Sequence, residues 1–169
     1  MSLIPIVDLS DTIIWHKERA DITTDDVYRV SACRVVDGEG NILLAQRAFT
    51  KKHNPGKRWP AVAGTVEQGE TYIENICKEI QEETGIRITE QELVEGPKDY
   101  TDKHWKHFTQ RYLLVYTDDK EKIVPEVGAV EQMKWFTPVE LEVALQNARD
   151  TFVDSIEWWL HMFPRNSSA

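Results

Sequence analysis

Six glutamates lie within the 23-residue segment GTVEQGETYIENICKEIQEETGI, which runs from Gly64 to Ile86. Glu79, Glu82 and Glu83 are concentrated at its end. On a helix these positions share one flank, because each residue turns the chain by about 100°. Carboxylate oxygens that converge at one point are the ligands that Mg²⁺ or Mn²⁺ prefers. The spacing therefore predicts a divalent-metal site, and the alternative is a solvated acidic face.

Both ends of the helix that would carry these glutamates are marked in the sequence. Thr71 and Glu74 have the spacing of a capping box, and Gly85 is the residue type that commonly ends a helix in a left-handed conformation. We therefore predict a helix over Tyr72–Thr84. Its apolar residues recur at helical spacing and should face the sheet; they are Ile73, Ile76, Cys77 and Ile80.

Local energetics disfavour this acidic flank. Glu79 and Glu83 stand at positions i and i+4, where a like-charge pair destabilises a helix by roughly 0.2–0.5 kcal/mol. They also lie in the last turns, where the helix dipole disfavours a carboxylate by roughly 0.3–1 kcal/mol. Violations confined to one flank of an otherwise consistent helix are typical of a functional site.

The rest of the chain alternates between strand and helix patterns. It predicts an amino-terminal hairpin within residues 1–26, a second hairpin over residues 27–49, and strands at FTQRYLLVYTDD and GAVEQMKWFT. A helix should begin at Pro138, and a carboxy-terminal helix should span about residues 150–163. This order predicts the α/β (α+β) class, with a mixed sheet and flanking helices.

Composition narrows the function. The formal net charge of −9 argues against binding to nucleic acids or anionic membranes, and the 169 residues fit a single domain, 1–169. Cys33 and Cys77 have no CxxC spacing and no secretory signal opens the chain, so we expect a cytoplasmic location.

The apolar stripe of the last helix is typical of core packing, and a homodimer surface is the alternative.

The segment 64–86 resembles the signature of the Nudix hydrolases, G-x5-E-x7-R-E-U-x-E-E-x-G-U, in which U is a bulky aliphatic residue. Eight of its nine defined positions match: Gly64, Glu70, Glu79, Ile80, Glu82, Glu83, Gly85 and Ile86. Lys78 stands where the signature has arginine. The wider resemblance covers about residues 27–141 and includes the KWFTPVEL strand-to-helix junction.

This resemblance implies a Nudix-type α/β/α sandwich that hydrolyses a nucleoside diphosphate linked to another group. It also implies a Mg²⁺ cofactor, with Mn²⁺ as the alternative. Glu79 and Glu83 would be the principal metal ligands, with Glu82 and the Gly64 carbonyl beside them. The metal would bridge the diphosphate and lower the pKa of an attacking water.

Further residues follow from the same resemblance. Glu70 would orient the segment by pairing with Lys78, although lysine lacks the planar two-pronged grip of arginine. A glutamate from outside the helix would serve as an additional ligand or base, and the candidates are Glu126 and Glu131.

A cationic loop precedes Gly64. Its candidates for binding substrate phosphates are Arg47, Lys52 and Arg58, and the neighbouring Lys51 and Lys57 add to its charge. Ordinary solvated loop charges are the alternative. Trp59 can stack on a ring of the substrate or pack against the fold.

Two other functions fit the resemblance. The amino-terminal layout, with IPIVD, LLAQRA and NPGKRW, is similar to the isopentenyl-diphosphate isomerase branch. That branch has a cysteine before the glycine that corresponds to Gly64 and a histidine after it, whereas Ala63 and Thr65 stand here. Isomerase chemistry therefore has no obvious acid-base pair in this chain. A Nudix module that senses a nucleotide without cleaving it is the other alternative, and the intact glutamates favour the hydrolase.

Overall fold

The computed structural model describes residues 2–60 and 62–161. Its strands are β1 (Leu3–Val7), β2 (Ile13–Glu18), β3 (Val27–Asp37), β4 (Ile42–Arg47), β5 (Arg58–Pro60), β6 (Val62–Thr65), β7 (Leu93–Asp102), β8 (Lys106–Tyr116) and β9 (Val130–Phe136). Its α-helices are α1 (Tyr72–Thr84), α2 (Pro138–Asn147) and α3 (Ile156–His161). In the described part of the chain, none of these helices is long and apolar enough to cross a membrane.

The strands form one mixed sheet around β3. Antiparallel ladders give the order β2-β1-β3-β4-β5, while β6 also pairs with β3 and β9 pairs with β4. The parallel ladder joins β3 to β8, from Val27 opposite Lys106 to Asp37 opposite Tyr116. The predicted mixed sheet and the hairpin over residues 27–49 are confirmed.

Two apolar layers cover opposite faces of the sheet. Successive side chains of a strand point to opposite faces, so the neighbours Leu43 and Leu44 enter different clusters. Leu43 packs with Ile76 and Ile80 of α1, both of which are buried. Leu44 packs with Leu141 of α2, in the same cluster that contains residues of the carboxy-terminal segment. The result is the expected α/β/α sandwich.

The amino-terminal hairpin of β1 and β2 extends the sheet beyond β3. Ile6 of β1 stands opposite Tyr28 of β3. At the tip of the hairpin, Asp11 has a positive φ of 61°. Its carboxylate accepts hydrogen bonds from Arg29 of β3 and from Tyr72 at the start of α1. The hairpin is therefore tied to both the sheet and the first turn of α1.

The carboxy-terminal helix, predicted over residues 150–163, begins later than predicted. A single 3₁₀ turn spans Arg149–Thr151, the chain is extended at Phe152, and α3 begins only at Ile156. The reason is a strand-like contact, because Phe152 bridges Arg58 and the Val153 N–H donates to the Arg58 carbonyl at 3.0 Å. These bonds take backbone groups that a helix would need. Residues 162–163 of the prediction lie outside the described residues.

Candidate active site

Helix α1 has the bounds that its sequence predicts. The Thr71 side chain accepts a hydrogen bond from the Glu74 N–H, the Glu74 carboxylate accepts one from the Thr71 N–H, and Gly85 follows with φ 72°. Both ends of the helix are thus fixed by local hydrogen bonds. The fixed ends hold the glutamates of the last turns in a defined orientation against the sheet.

Glu79 lies directly over the backbone of Gly64 in β6. A side chain at position 64 would overlap the Glu79 carboxylate, so the close approach requires glycine. Burial raises the pKa of Glu79, and the nearby Lys78 acts in the opposite direction. The structure therefore brings Glu79 and the Gly64 backbone together, as the resemblance implies.

Glu83 carries the least compensated carboxylate of the site. Its Oε2 atom is buried and has no hydrogen-bond partner among the described residues. Burial, together with the charges of Glu79 and Glu126, raises the pKa of Glu83 to about 8. A backbone hydrogen bond from Ala63 and the charge of Arg47 act in the opposite direction.

These residues fit a divalent cation. The buried carboxylate oxygen of Glu83 has no hydrogen-bond partner among the described residues and lies near two further carboxylates. A divalent cation would supply the positive charge that compensates these acids. Within the described ranges, no three His, Cys, Asp or Glu side chains already stand in a ligand arrangement. Glu82, the other glutamate of the flank, is exposed on the outer side of α1.

The structure distinguishes between the two candidates for the additional glutamate. The Glu126 N–H donates to the Glu83 carbonyl at 3.1 Å, and both residues line one cavity. Glu131 is exposed in β9. The ladder between β4 and β9 passes over this residue, because Gln46 pairs with Gln132 and the next residue of β4 pairs with Val130. Glu131 does not line the cavity, so the geometry favours Glu126.

A cavity of about 110 Å³ lies beside Glu83. Its lining residues are Ala45, Arg47, Lys51, Trp59, Glu83, Glu126, Ala129 and Val130. The Arg47 guanidinium lies 5.3 Å from the centre of the Trp59 ring, and its Nε donates to the His53 carbonyl at 3.0 Å. Carboxylates and cations thus line one space that can hold a small anionic group.

The cationic loop is divided by the structure. Of the predicted substrate-binding residues, Arg47 and Trp59 line the cavity, whereas Lys52 and Arg58 do not. Lys52 is exposed, and the Arg58 guanidinium lies 6.0 Å from the centre of the Phe152 ring, over the carboxy-terminal segment. Lys51, which sequence reasoning noted only as part of the loop charge, lines the cavity instead.

The predicted pair of Glu70 and Lys78 is present. Lys78 Nζ lies 2.6 Å from Glu70 Oε1, and Glu70 Oε2 accepts a hydrogen bond of 2.9 Å from Asn75 Nδ2. Asn75 is fully buried, and Ser31 of β3 donates to its side-chain oxygen. Sequence reasoning missed Asn75, although a polar residue next to the apolar stripe of α1 is a signal that could have found it.

A family model matches most of the chain and includes the segment 64–86. The NUDIX domain model matches residues 27–158. The chain belongs to the Nudix family. Its hydrolase signature is therefore part of a matching domain and not an isolated run of glutamates, and the isopentenyl-diphosphate isomerases are relatives within the same family.

Two relatives illustrate the range of this family. An uncharacterized Nudix hydrolase of Yersinia pestis is 33% identical over 84 residues, which cover 49% of this chain and 46% of that protein. The match thus spans about half the length of that relative. An isopentenyl-diphosphate Δ-isomerase of Photorhabdus laumondii is 26% identical over 158 residues, which cover 89% of this chain and 85% of that protein.

Solved structures share the fold. A crystal structure from Deinococcus radiodurans has a TM-score of 0.75 at 20% identity and covers 96% of this chain and 99% of that one. A bifunctional NMN adenylyltransferase/ADP-ribose pyrophosphatase of Francisella tularensis, in complex with AMP and a manganese ion, has a TM-score of 0.59 at 19% identity. That match covers 78% of this chain and 39% of the bifunctional protein.

Proposed function

We propose that this protein is a metal-dependent hydrolase that cleaves the diphosphate bond of a nucleoside diphosphate linked to another group. The observation that carries the proposal is the buried Glu83 Oε2 atom, which has no hydrogen-bond partner in the described part of the chain. Glu83 also lines a cavity together with Arg47 and Lys51. A lone buried carboxylate is costly to the fold. A bound divalent cation compensates that cost.

The acidic and the cationic residues have distinct parts in this proposal. Glu79 and Glu83, with the Gly64 carbonyl, would hold Mg²⁺, and Mn²⁺ is the alternative cation. When bound, such a cation neutralises phosphate charge and activates water. Glu82 stays a weaker candidate, since its exposed side chain must turn inward to reach the cation.

The cations that line the cavity would bind the substrate. Arg47 and Lys51 place two cations where phosphate oxygens can accept hydrogen bonds. The Arg47 side chain is held by the His53 carbonyl and the Trp59 ring, so little side-chain freedom is lost on binding. Glu126 stands at the same cavity as a carboxylate that can accept a proton from water.

The proposal is tested by incubating the pure protein and Mg²⁺ with nucleoside triphosphates, nucleotide sugars, dinucleoside polyphosphates, NADH, coenzyme A and ADP-ribose. We expect phosphate-containing products from at least one of them and none in the presence of excess chelator. Tight binding of a nucleotide without cleavage of any compound would favour the sensing module.

The isomerase is tested in parallel, because a relative over nearly the whole chain carries that activity in its name. We expect no conversion of isopentenyl to dimethylallyl diphosphate, since Ala63 cannot supply a thiol before Gly64. Conversion at a rate above that of the hydrolysis reactions would reverse our order of the two functions.

A cytoplasmic location and a homodimer stay predictions.

A further inference from the structure

Glu67 has no part in the proposed chemistry, yet it connects the amino-terminal segment to the motif. One carboxylate oxygen, Oε1, accepts a hydrogen bond of 2.7 Å from Ser2 Oγ and lies 3.4 Å from Arg19 Nη2. The other oxygen, Oε2, lies 3.6 Å from Lys78 Nζ. Next to it, the Gln68 N–H donates to the Leu3 carbonyl at 2.8 Å. Glu67 therefore lies between the hairpin and Lys78.

Lys78 has a geometric reason to need this second carboxylate. Lysine presents a compact charge on a flexible chain, so a single contact with Glu70 leaves the direction of the ammonium group weakly defined. Glu67 is the second carboxylate near the ammonium, at 3.6 Å compared with 2.6 Å for Glu70. Two carboxylates restrict the position of the ammonium more than one does.

The position of the Lys78 ammonium matters to the proposed metal site through a short series of contacts. Glu70 accepts hydrogen bonds from the Glu67 N–H at 3.0 Å and from Asn75 Nδ2 at 2.9 Å. The same Asn75 nitrogen lies 3.4 Å from Glu79 Oε1 and 3.3 Å from the Thr65 carbonyl. A shift of Glu70 is thereby passed to Glu79 and to the residue that follows Gly64.

We propose that Glu67 is a positioning residue that allows Lys78 to hold the motif in its active geometry, with the amino-terminal hairpin as its support. The proposal rests on the proposed hydrolase function. Its role depends on the lysine, since an arginine at position 78 can engage Glu70 with two parallel hydrogen bonds and needs no second carboxylate.

The test is a double-mutant cycle of Glu67→Gln and Lys78→Arg, assayed on a substrate that the wild type cleaves. The Glu67→Gln substitution keeps a side-chain oxygen for Ser2 but removes the charge that faces Lys78. With Lys78 present, we expect Glu67→Gln to lower kcat about tenfold and to change KM less than about twofold. In the Lys78→Arg background, the same substitution should lower kcat less than about twofold. Equal losses in both backgrounds would refute the dependence on lysine.

Amide hydrogen exchange of the metal-free protein provides a readout that does not require activity. Glu67→Gln should speed exchange in residues 65–71 with Lys78 present, and Lys78→Arg should restore slow exchange. Glu142→Gln on the exposed face of α2 is the matched control and should change neither exchange nor kcat. If the wild type cleaves nothing while exchange follows this pattern, the proposed function fails and the positioning role stands.

Ser2→Ala covers the case in which Glu67→Gln unfolds the protein. It removes the 2.7 Å hydrogen bond to Glu67 at a residue near the chain start. We expect it to speed exchange in residues 65–71 and to lower kcat about twofold with Lys78 present. Unchanged exchange and unchanged kcat in this variant would overturn the support by the hairpin.

Discussion

Asp37 and Glu83 both place carboxylate oxygens inside the fold, and their surroundings are opposite. Asp37, whose side chain is 4% exposed, accepts hydrogen bonds from the Glu39 and Asn41 N–H groups, from the Asn41 side chain and from Lys120 Nζ. Burial acts to raise its pKa, but these donors hold the pKa below the ordinary value of 3.8. Glu83 has the reverse balance, and burial and neighbouring carboxylates raise its pKa to about 8.

The difference distinguishes a carboxylate that stabilises the folded state, Asp37, from one that destabilises it when no metal is bound, Glu83. The donors around Asp37 come from a turn and from the 3₁₀ helix Lys120–Lys122, so its charge holds these segments together. Glu83 lies beside two acids, and its one backbone donor and the charge of Arg47 do not offset burial and repulsion. Substitutions at the two positions should therefore have opposite effects.

Glu83→Gln should have the largest effect of the substitutions on activity. We expect kcat to fall about 100-fold or more, because the cation loses a charged ligand. The Tm of the metal-free variant at neutral pH should rise, because folding no longer has to bury the Glu83 charge or neutralise it by binding a proton. Steady-state kinetics and calorimetry measure the two effects, with Glu142→Gln as the control. A Glu83→Gln enzyme with unchanged kcat would show that the site assignment is wrong.

Metal addition should give Glu83 a compensating positive charge, which Asp37 already has in Lys120. At a Mg²⁺ concentration of about 100 times Kd, we expect the wild type to gain about 2.7 kcal/mol in free energy of unfolding. For a domain of this length, that gain corresponds to a Tm increase of about 5–10 °C. Chelator should reverse the increase, and Glu83→Gln should abolish most of it. Equal increases in the two proteins would place the cation elsewhere.

Asp37→Asn should lower stability and spare activity. We expect a loss of about 1–3 kcal/mol in free energy of unfolding at neutral pH, because Lys120 loses its counter-charge. Since the folded pKa of Asp37 is lowered, its stabilisation is complete above pH 3.8 and is lost as the pH falls through the folded pKa. Urea unfolding at neutral pH and near pH 3 checks this, and the exposed Asp25→Asn is the control. A loss that is as large near pH 3 as at neutral pH would contradict the charge-based account.

The smallest effect concerns the additional glutamate. Glu126→Gln should lower kcat about tenfold more than Glu131→Gln does, because only Glu126 lines the cavity with Glu83. Parallel kinetics of the two variants decide the matter. A larger loss for Glu131→Gln would mean that the β9 register changes when substrate binds.

Sequence reasoning was most successful where the determining contacts are local. The bounds of α1 follow from Thr71, Glu74 and Gly85, which lie within or next to the helix itself. The pair of Glu70 and Lys78 was implied by the resemblance to the Nudix signature. In both cases the partners are near in the sequence, so the pattern contains the necessary information.

The errors and open choices involve contacts between distant segments. The predicted start of the last helix was too early because Phe152 and Val153 pair with Arg58, more than 90 residues earlier. Glu126 and Glu131 could not be distinguished, since the choice depends on how their loop meets the end of α1. Lys51 and Lys52 are adjacent in the chain, and only the loop geometry shows which of them lines the cavity.

The close approach of Glu79 to Gly64 has an evolutionary consequence. An alanine at position 64 is reached by changing a single residue and adds only a methyl group. That methyl group would overlap the end of a flexible side chain, so the strands of the sheet can stay in place while the Glu79 carboxylate moves away. The substitution would thus yield a folded protein that has lost its chemistry, and it offers descendants of this enzyme a one-step route to a ligand-binding role.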